Sequence, residues 1–258
     1  MSLSVQVRGQ GAPLVLLHGW AMHGGIFAPL VDRLGAEFEL HLVDLPGHGR
    51  SAGSGVPLKL DAAARAVADV VPERALWGGW SLGGLVALHA AVTMPARVRG
   101  LAMIAASPRF VRADDWAEGM SADVFRSFGE HLRTDYRGTL DRFMALEAQG
   151  SDHMREELRL LRADVFAHGE PSADVLCDGL ELLETADLRA ALPALAMPSL
   201  WIAGRRDRLV NPAAMRHAAD TAPGGRFHQV QSGGHAPFLT HAGDVADAIA
   251  AFAAACPP

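Results

Sequence analysis

The sequence is poor in lysine and cysteine, has no excess of positive charge and contains no long apolar run. Lys59 is the one lysine and the formal net charge is −6, which argues against a nucleic-acid partner. Cys177 and Cys256 show neither metal-ligand spacing nor a C-x-x-C pattern, so we interpret them as reduced, incidental thiols. No apolar run approaches the roughly 20 residues of a membrane-spanning helix, and the first residues lack a basic start followed by an apolar core. We therefore expect a cytoplasmic protein without membrane contact.

The chain has 258 residues, of which 50% are apolar and 20% charged, as in a globular domain. Short β-type runs alternate with helical stretches, which predicts an α/β fold with a mostly parallel central sheet flanked by helices. Some runs, such as Leu14–Leu17, are continuously apolar, as in strands buried on both faces. We predict strands at Ser2–Arg8, Pro13–His18, Glu39–Asp44, Ala75–Trp80, Gly100–Ala105, Pro198–Gly204 and Arg226–Gln231.

The character of the sequence changes between about Pro108 and Thr185. β-type runs vanish, charge rises and apolar residues recur at helical spacing, as in Leu158, Leu161 and Val165. Because the strand pattern returns afterwards, this stretch is best interpreted as an inserted helical cap over the sheet. We expect residues 1–107 and 187–258 to form the core and residues 108–186 the cap.

One segment, Gly79–Gly83, has the sequence Gly-Trp-Ser-Leu-Gly between a predicted strand and a helical run. This is the G-x-S-x-G nucleophile elbow in its required context. A serine on such a tight turn has a strained backbone, and the flanking glycines avoid collisions with neighbouring elements. The alternative is a glycine-rich turn with a solvated serine. We predict that Ser81 is a nucleophile.

A serine nucleophile needs a base within hydrogen-bond reach and a carboxylate that orients the base. His235 follows the last predicted strand, and Asp207 follows the strand before it, which gives the order serine, aspartate, histidine. We interpret His228, inside the strand, and His241, at the next helix start, as structural. A lone loop aspartate or histidine would usually be a helix cap or a surface residue, but here all three groups follow successive strands.

Acyl transfer also needs two N–H donors for the oxyanion. Leu82, directly after the serine, supplies one. Trp20 follows the strand that contains Leu14–Leu17 and supplies the other, with Gly19 allowing close approach. His18 is an alternative base, but it lies on the oxyanion side and we interpret it as structural.

A second turn signature, Asp44–Ser51, follows another strand and contains three residues with strong turn preference, Pro46, Gly47 and Gly49. Its spacing matches neither G-x-G-x-x-G nor G-x-x-x-x-G-K-[ST], so it does not predict a phosphate-binding loop. We expect no nucleotide, no metal and no other cofactor.

Together these motifs resemble the α/β-hydrolase superfamily throughout the chain. The motifs that carry this resemblance are His18–Trp20, Asp44–Ser51, Gly79–Ala87, Asp207 and Gly234–Phe238. More narrowly, the chain resembles the BioH family of pimeloyl-[acyl-carrier protein] methyl ester carboxylesterases. The additional matches are Leu40–Gly47, Arg142–Leu146, Gly179–Leu183 and Asp187–Arg189.

The resemblance implies a serine esterase that hydrolyses the methyl ester on a pimeloyl chain, releases methanol and serves biotin synthesis. Acyl carrier protein, which bears the substrate, would be its partner. The ester would be cut and the thioester to the carrier retained. We expect the enzyme to act as a monomer.

The resemblance also implies binding residues. Arg142, Arg155 and Arg159 would contact the acidic carrier, although a plain solvated helix face is the alternative. Gly138 stands where a further arginine is expected, and Arg137 could substitute for it. The substrate would contact Trp20, Ser81, Leu82, His235 and the cap residues Phe143, Met144, Ala145, Leu146 and Glu147. Phe143 and Leu146 could equally form cap core.

Other functions remain open from the sequence. A general short-chain carboxylesterase, a carbon–carbon bond hydrolase or a perhydrolase would use the same triad. Dehalogenases and epoxide hydrolases need an aspartate at the position of Ser81. A ligand-binding protein on the same scaffold is a different class, and the intact triad argues against it.

Overall fold

The computed structural model describes residues 2–256 and contains a seven-stranded sheet. Each of the seven predicted strands is present, with ends that differ by a few residues. The strands are β1 Val5–Gly9, β2 Ala12–Leu17, β3 Phe38–Val43, β4 Ala75–Trp80, β5 Val98–Ile104, β6 Ser199–Gly204 and β7 Gly225–Val230. Their order in the sheet is β1-β3-β2-β4-β5-β6-β7, with β1 antiparallel to β3 and all other pairs parallel.

Ten α-helices lie among residues 2–256. They are α1 Ala28–Leu34, α2 Leu60–Ala68, α3 Leu82–Thr93, α4 Ala122–Leu132, α5 Tyr136–Ala148, α6 Met154–Asp164, α7 Ala173–Thr185, α8 Pro212–Thr221, α9 Pro237–Thr240 and α10 Ala242–Ala254. Every residue of β4 and β6 is buried, which explains why their sequences, apart from Ser199, are apolar or glycine rather than alternating. The predicted α/β architecture is confirmed.

α3 is the most enclosed helix of the core. Its sequence is apolar on nearly all sides because it packs on β2, β4 and β5 and is covered by α2 and α7. Gly84 lets this helix approach the sheet closely, since a Cβ at this position would lie 2.3 Å from the Cβ of Ala106. The helix start, immediately after Ser81, is thereby held at the carboxyl end of β4.

The chain between β5 and β6 forms α4, α5, α6 and α7, and no named strand lies there among the described residues. α4 packs on α5 and α7, and α5 packs on α6. α6 reaches α9 and α7 reaches α3, so this helical group is attached to the core at more than one point. The division into a core and a cap at residues 107/108 and 186/187 stays a prediction.

The parallel strands bring distant chain segments to one edge of the sheet. β2, β4, β6 and β7 run in the same direction, so the segments that follow them emerge at the same edge. These segments contain Trp20, Ser81, Asp207 and His235. Within residues 2–256, no helix has the length and apolar character needed to cross a membrane.

Candidate active site

Ser81 occupies the turn between β4 and α3 in a backbone conformation that serine rarely adopts. Its φ is 53° and its ψ is −118°. A Cβ on Gly79 would lie 2.3 Å from the carbonyl oxygen of Gly83, and a Cβ on Gly83 would lie 2.2 Å from that of Leu17. No side chain fits at either glycine, so the strained elbow requires both. The structure therefore shows the local geometry that the G-x-S-x-G pattern predicts.

Asp207 and His235 form a buried hydrogen-bonded pair. Asp207 Oδ2 lies 2.8 Å from His235 Nδ1, and both side chains are inaccessible to solvent. The other carboxylate oxygen of Asp207 accepts hydrogen bonds from the backbone N–H groups of Leu209 at 2.8 Å and Val210 at 2.9 Å. These two bonds fix the carboxylate so that it orients the imidazole.

The environment of His235 changes its proton affinity. Burial alone lowers the pKa of His235, but the charge of Asp207 and its hydrogen bond outweigh burial, and the net effect raises the pKa. A carboxylate that stabilises the charged imidazole is what a histidine base requires after it has taken a proton.

Ser81 Oγ and His235 Nε2 are both buried, and neither has a hydrogen-bond partner among residues 2–256. The two atoms therefore do not hydrogen-bond to each other in this structure. Such contacts are often long in the absence of substrate and shorten when it binds. Both atoms remain free to interact with a reacting group.

The loop that carries His235 is held from two sides. The indole Nε1 of Trp80 donates to the carbonyl oxygen of His235 at 2.8 Å. The N–H of His235 donates to the carbonyl oxygen of Glu147 in α5 at 3.4 Å. The residue before Ser81 therefore positions the histidine loop, a role that the sequence pattern does not reveal because the elbow motif leaves this position free.

The two predicted oxyanion donors lie where the sequence places them. Leu82 is the first residue of α3, and Trp20 lies just beyond β2. Neither backbone N–H has an acceptor in the part of the chain that the structure describes. Ala21, next in the chain, has φ 63°, a strained value for alanine that re-aims this loop.

Trp20 also joins the core to the helices between β5 and β6. Its Nε1 donates to the carbonyl oxygen of Leu176 at 2.8 Å, and its ring lies 4.4 Å from that of Phe143. Met144 is buried beside Phe143 and Leu146 is partly buried. Ala145 is exposed, because its position on α5 turns it away from the buried face, and its contact with the acyl chain stays a prediction.

Two carboxyl groups lie buried near His235. Glu147 has both oxygens buried without a hydrogen-bond partner among the described residues, and burial raises its pKa to about 8. Glu157 accepts hydrogen bonds at Oε1 from Ser151 at 2.6 Å and from Thr240 at 2.7 Å, while burial raises its pKa. The burial of Glu147 could have been inferred, because it lies four residues after Phe143 on the same helix face.

The arginines predicted to contact a carrier differ in their surroundings. Arg142 pairs with Asp135 at 2.9 Å. Arg155 and Arg159 are exposed on α6 and form no ion pair or side-chain hydrogen bond with residues 2–256. Arg162, on the same helix, is engaged by Asp141 through two bonds of 2.6 and 2.8 Å. The structure therefore leaves Arg155 and Arg159 available for an external partner.

The local structure explains why position 138 is a glycine rather than an arginine. Its N–H is capped by Asp135 Oδ1 at 3.2 Å, and a Cβ there would lie 2.3 Å from the same carboxylate. Arg137, proposed from the sequence as a substitute arginine, pairs with Glu170 and stacks 4.8 Å above the ring centre of Phe166. Arg137 could reach an external partner only by giving up Glu170, and its role as a substitute arginine stays a prediction.

His18 has a structural role in the described protein. Its Nε2 accepts a hydrogen bond from the N–H of Leu45 at 2.8 Å, and its Nδ1 lies 2.8 Å from the carbonyl oxygen of Gly19. Burial, with a contribution from the neighbouring His48, lowers the pKa of His18 to about 3. The neutral ring thus ties the oxyanion loop to the turn after β3 and is not free to act as a base.

Comparisons with known proteins agree with this geometry. The sequence matches the alpha/beta hydrolase fold family over residues 12–242. It is 58% identical, over 99% of this chain and 100% of the relative, to a protein of Xanthomonas campestris pv. campestris (strain B100) named pimeloyl-[acyl-carrier protein] methyl ester esterase. It is 56% identical, over 99% of this chain and 98% of the relative, to a protein of the same name from Stenotrophomonas maltophilia (strain K279a).

Among solved structures, the chain is similar to an enol-lactonase from Burkholderia xenovorans LB400. The TM-score is 0.85 at 22% identity, over 98% of this chain and 96% of that one. At this identity the likeness concerns the fold.

Proposed function

Because the chain belongs to the alpha/beta hydrolase fold family and, within it, to the pimeloyl-[acyl-carrier protein] methyl ester esterases, we propose that Ser81, His235 and Asp207 hydrolyse that methyl ester. The observation that carries the proposal is the buried Asp207–His235 pair of 2.8 Å at the same sheet edge as the strained Ser81. The pair offers an oriented base at the sheet edge where Ser81 Oγ lies without another hydrogen-bond partner among residues 2–256.

In the first half of the reaction, Ser81 Oγ attacks the ester carbonyl carbon and His235 Nε2 takes the serine proton. Asp207 stabilises the imidazolium that forms. The carbon–methoxy bond then breaks, and the methoxy oxygen takes the proton from His235 and leaves as methanol. The products of this half are methanol and a pimeloyl chain esterified to Ser81.

In the second half, a water molecule gives a proton to His235 as its oxygen attacks the acyl-enzyme carbonyl. The bond to Ser81 Oγ breaks and the serine regains its proton. The N–H groups of Trp20 and Leu82 stabilise the negative oxygen in both tetrahedral intermediates. Their freedom from other acceptors supports this assignment.

The walls near Ser81 suit an unbranched apolar chain. Trp20 and Phe143 form a buried aromatic pair, and Met144 is buried beside them. Each buried methylene of the pimeloyl chain would contribute about 0.8 kcal/mol. Because Ser81 and His235 have no exposed surface, substrate entry requires a displacement of side chains that cover them.

The carrier would contact the helices between β5 and β6. We propose that Arg155 and Arg159 receive its acidic groups, since both are exposed and unpaired with residues 2–256, and that Arg142 exchanges Asp135 for the carrier. Monomeric state and cytoplasmic location stay predictions.

The test compares kcat/KM of wild type and Ser81→Ala on the carrier-bound methyl ester and on a small aryl ester. Ser81→Ala should lose at least about 10⁴-fold on both substrates, whereas Ser107→Ala, at a buried serine beyond β5, should keep activity. A strong preference of wild type for the carrier-bound ester supports the specific function. Equal or better turnover of the aryl ester would reduce the protein to a general carboxylesterase.

A further inference from the structure

A cleft of about 410 Å³ lies beside the loop that contains Asp207. One wall is the segment Arg112–Ser121, which leads from β5 into the helices, and the other is the segment Arg205–Pro212, which contains Asp207. Arg112, Arg205 and Arg208 all line it. Two chain segments that are far apart in sequence thus place three guanidinium groups around one cleft.

The three arginines are exposed, and none forms an ion pair or a side-chain hydrogen bond with residues 2–256. Other arginines nearby are engaged: Arg109 pairs with Asp187 at 2.6 Å, and Arg206 pairs with Asp152. The contrast matters in a chain of net charge −6, where acidic partners are in excess.

Two acidic groups also line the cleft, and one of them is already committed. Asp207 is bound to His235 and to two backbone N–H groups, so its charge is satisfied within the protein. Glu118 forms no ion pair in the described part of the chain. The remaining charge around the cleft is therefore positive and suits an anionic partner.

The loop that contains Asp207 and forms one wall of the cleft also contacts the segment just before α6. Asp152, just before α6, pairs with Arg206, and its N–H donates to the carbonyl oxygen of Ser232 at 3.3 Å. The loop that contains Asp207 thus lies between the cleft and the start of α6, the helix that carries Arg155 and Arg159. A partner that covers the start of α6 would therefore also lie near the loop that contains Asp207.

We infer that Arg112, Arg205 and Arg208 form a second docking surface for carboxylate groups of the protein that carries the substrate. The inference rests on the proposed function, because the acyl carrier is the macromolecule that this reaction brings to the site. Exposed guanidinium groups form bidentate hydrogen bonds with carboxylates, and complementary charge favours association with an acidic partner.

The experiment uses the full chain with Arg112→Ser, Arg205→Ser and Arg208→Ser combined. A control triple removes the same charge at exposed arginines that do not line the cleft: Arg33→Ser, Arg65→Ser and Arg226→Ser. For each protein, kcat/KM is measured on the carrier-bound ester and on the aryl ester, between low and high salt.

The cleft triple should lower the ratio of carrier-bound to aryl-ester kcat/KM by about tenfold, mainly through KM, because each exposed charge contact contributes about two- to threefold. In the cleft triple, kcat/KM on the carrier-bound ester should fall less with added salt than it does in wild type. The control triple should keep the wild-type ratio. An equal fall in both triples, or no fall in the cleft triple, overturns the inference.

Two further outcomes are distinguishable. If wild type shows no preference for the carrier-bound ester, the proposed function fails before the variants are compared. If inorganic phosphate raises the Tm of wild type but not of the cleft triple, and the kinetic ratio is unchanged, the cleft binds a small anion and the docking surface is wrong.

Discussion

The indole of Trp80 donates a hydrogen bond of 2.8 Å to the backbone carbonyl of His235, which links the residue before the nucleophile to the loop of the base. The Trp80 ring also packs against Phe238 with ring centres 5.2 Å apart. The nucleophile and the base are therefore positioned by one buried side chain as well as by the sheet.

Trp80→Phe should lower kcat about tenfold, because the histidine loop loses its donor and the imidazole is less well placed. Stability should fall by about 1–3 kcal/mol. Trp201→Phe is the matched control, since Trp201 is a buried indole that donates to Ser199 Oγ at 3.0 Å within β6. Denaturant unfolding and aryl-ester kinetics are measured together. An equal loss of kcat in both variants would refute a positioning role for Trp80.

Asp207→Asn should lower kcat about 10⁴-fold with little change in KM, because an amide no longer holds the required histidine tautomer. The side-chain oxygen of asparagine can still accept the N–H groups of Leu209 and Val210, so the loop should keep its fold. Asp244→Asn is the control: Asp244 Oδ1 lies 2.8 Å from His228 Nε2 at the surface. If Asp244→Asn were as damaging, the effect would not be specific to the buried pair.

The pH profile of kcat/KM should report on His235. The base must be neutral to take the serine proton, so activity should rise with pH through an apparent pKa above the ordinary value of about 6.5. Burial lowers this pKa, and the charge of Asp207 and its hydrogen bond raise it. Aryl-ester kinetics between pH 5 and 9 measure it. An apparent pKa below 6.5 would contradict the described environment.

Glu147→Gln should change how stability depends on pH. The folded-state pKa of Glu147 is about 8 against an ordinary value of 4.5, so between these values the folded protein holds a proton that the unfolded chain releases. The free energy of unfolding therefore falls as pH rises through this interval, by at most about 1.4 kcal/mol per pH unit.

In Glu147→Gln this slope should disappear, and the variant should gain stability relative to wild type as pH rises from 5 to 8. Glu156→Gln, at an exposed position of α6, is the control and should leave the slope unchanged. Urea unfolding at several pH values provides the measurement. The same slope in wild type and Glu147→Gln would show that Glu147 ionises freely in the folded protein.

Gly79→Ala should destabilise the protein by about 3 kcal/mol or more, because its Cβ would meet the carbonyl oxygen of Gly83 at 2.3 Å, and backbone cannot move aside cheaply. Gly53→Ala is the control, since a Cβ there meets nothing within 4 Å. Midpoints of thermal unfolding compare the two. A Gly79→Ala variant as stable as Gly53→Ala would mean that the elbow tolerates a side chain.

Much of the fold followed from local patterns. Short β-type runs, some of them continuously apolar, indicated the seven strands, and the elbow pentapeptide, with its glycines, correctly indicated the strained turn at Ser81. The structure also joins Asp207 to His235, as their positions after successive strands predict. The resemblance named the segment from Phe143 to Glu147 as a whole, whereas the structure buries Phe143 and Glu147 and exposes Ala145 on the other face of α5.

The sequence by itself determined the strands and the chain order and residue types of the serine, aspartate and histidine, because periodicity and turn chemistry act over a few neighbouring residues. Only the tertiary structure decided which polar groups lose water and which partners they meet. Glu147 is buried because α5 packs within the helical group on the core. Trp80 contacts His235 because the end of β4 and the segment after β7 lie at the same sheet edge. The three arginines line one cleft because the segment after β5 lies against the loop after β6. Such contacts join residues far apart in the chain, and burial and pairing depend on that packing rather than on local sequence.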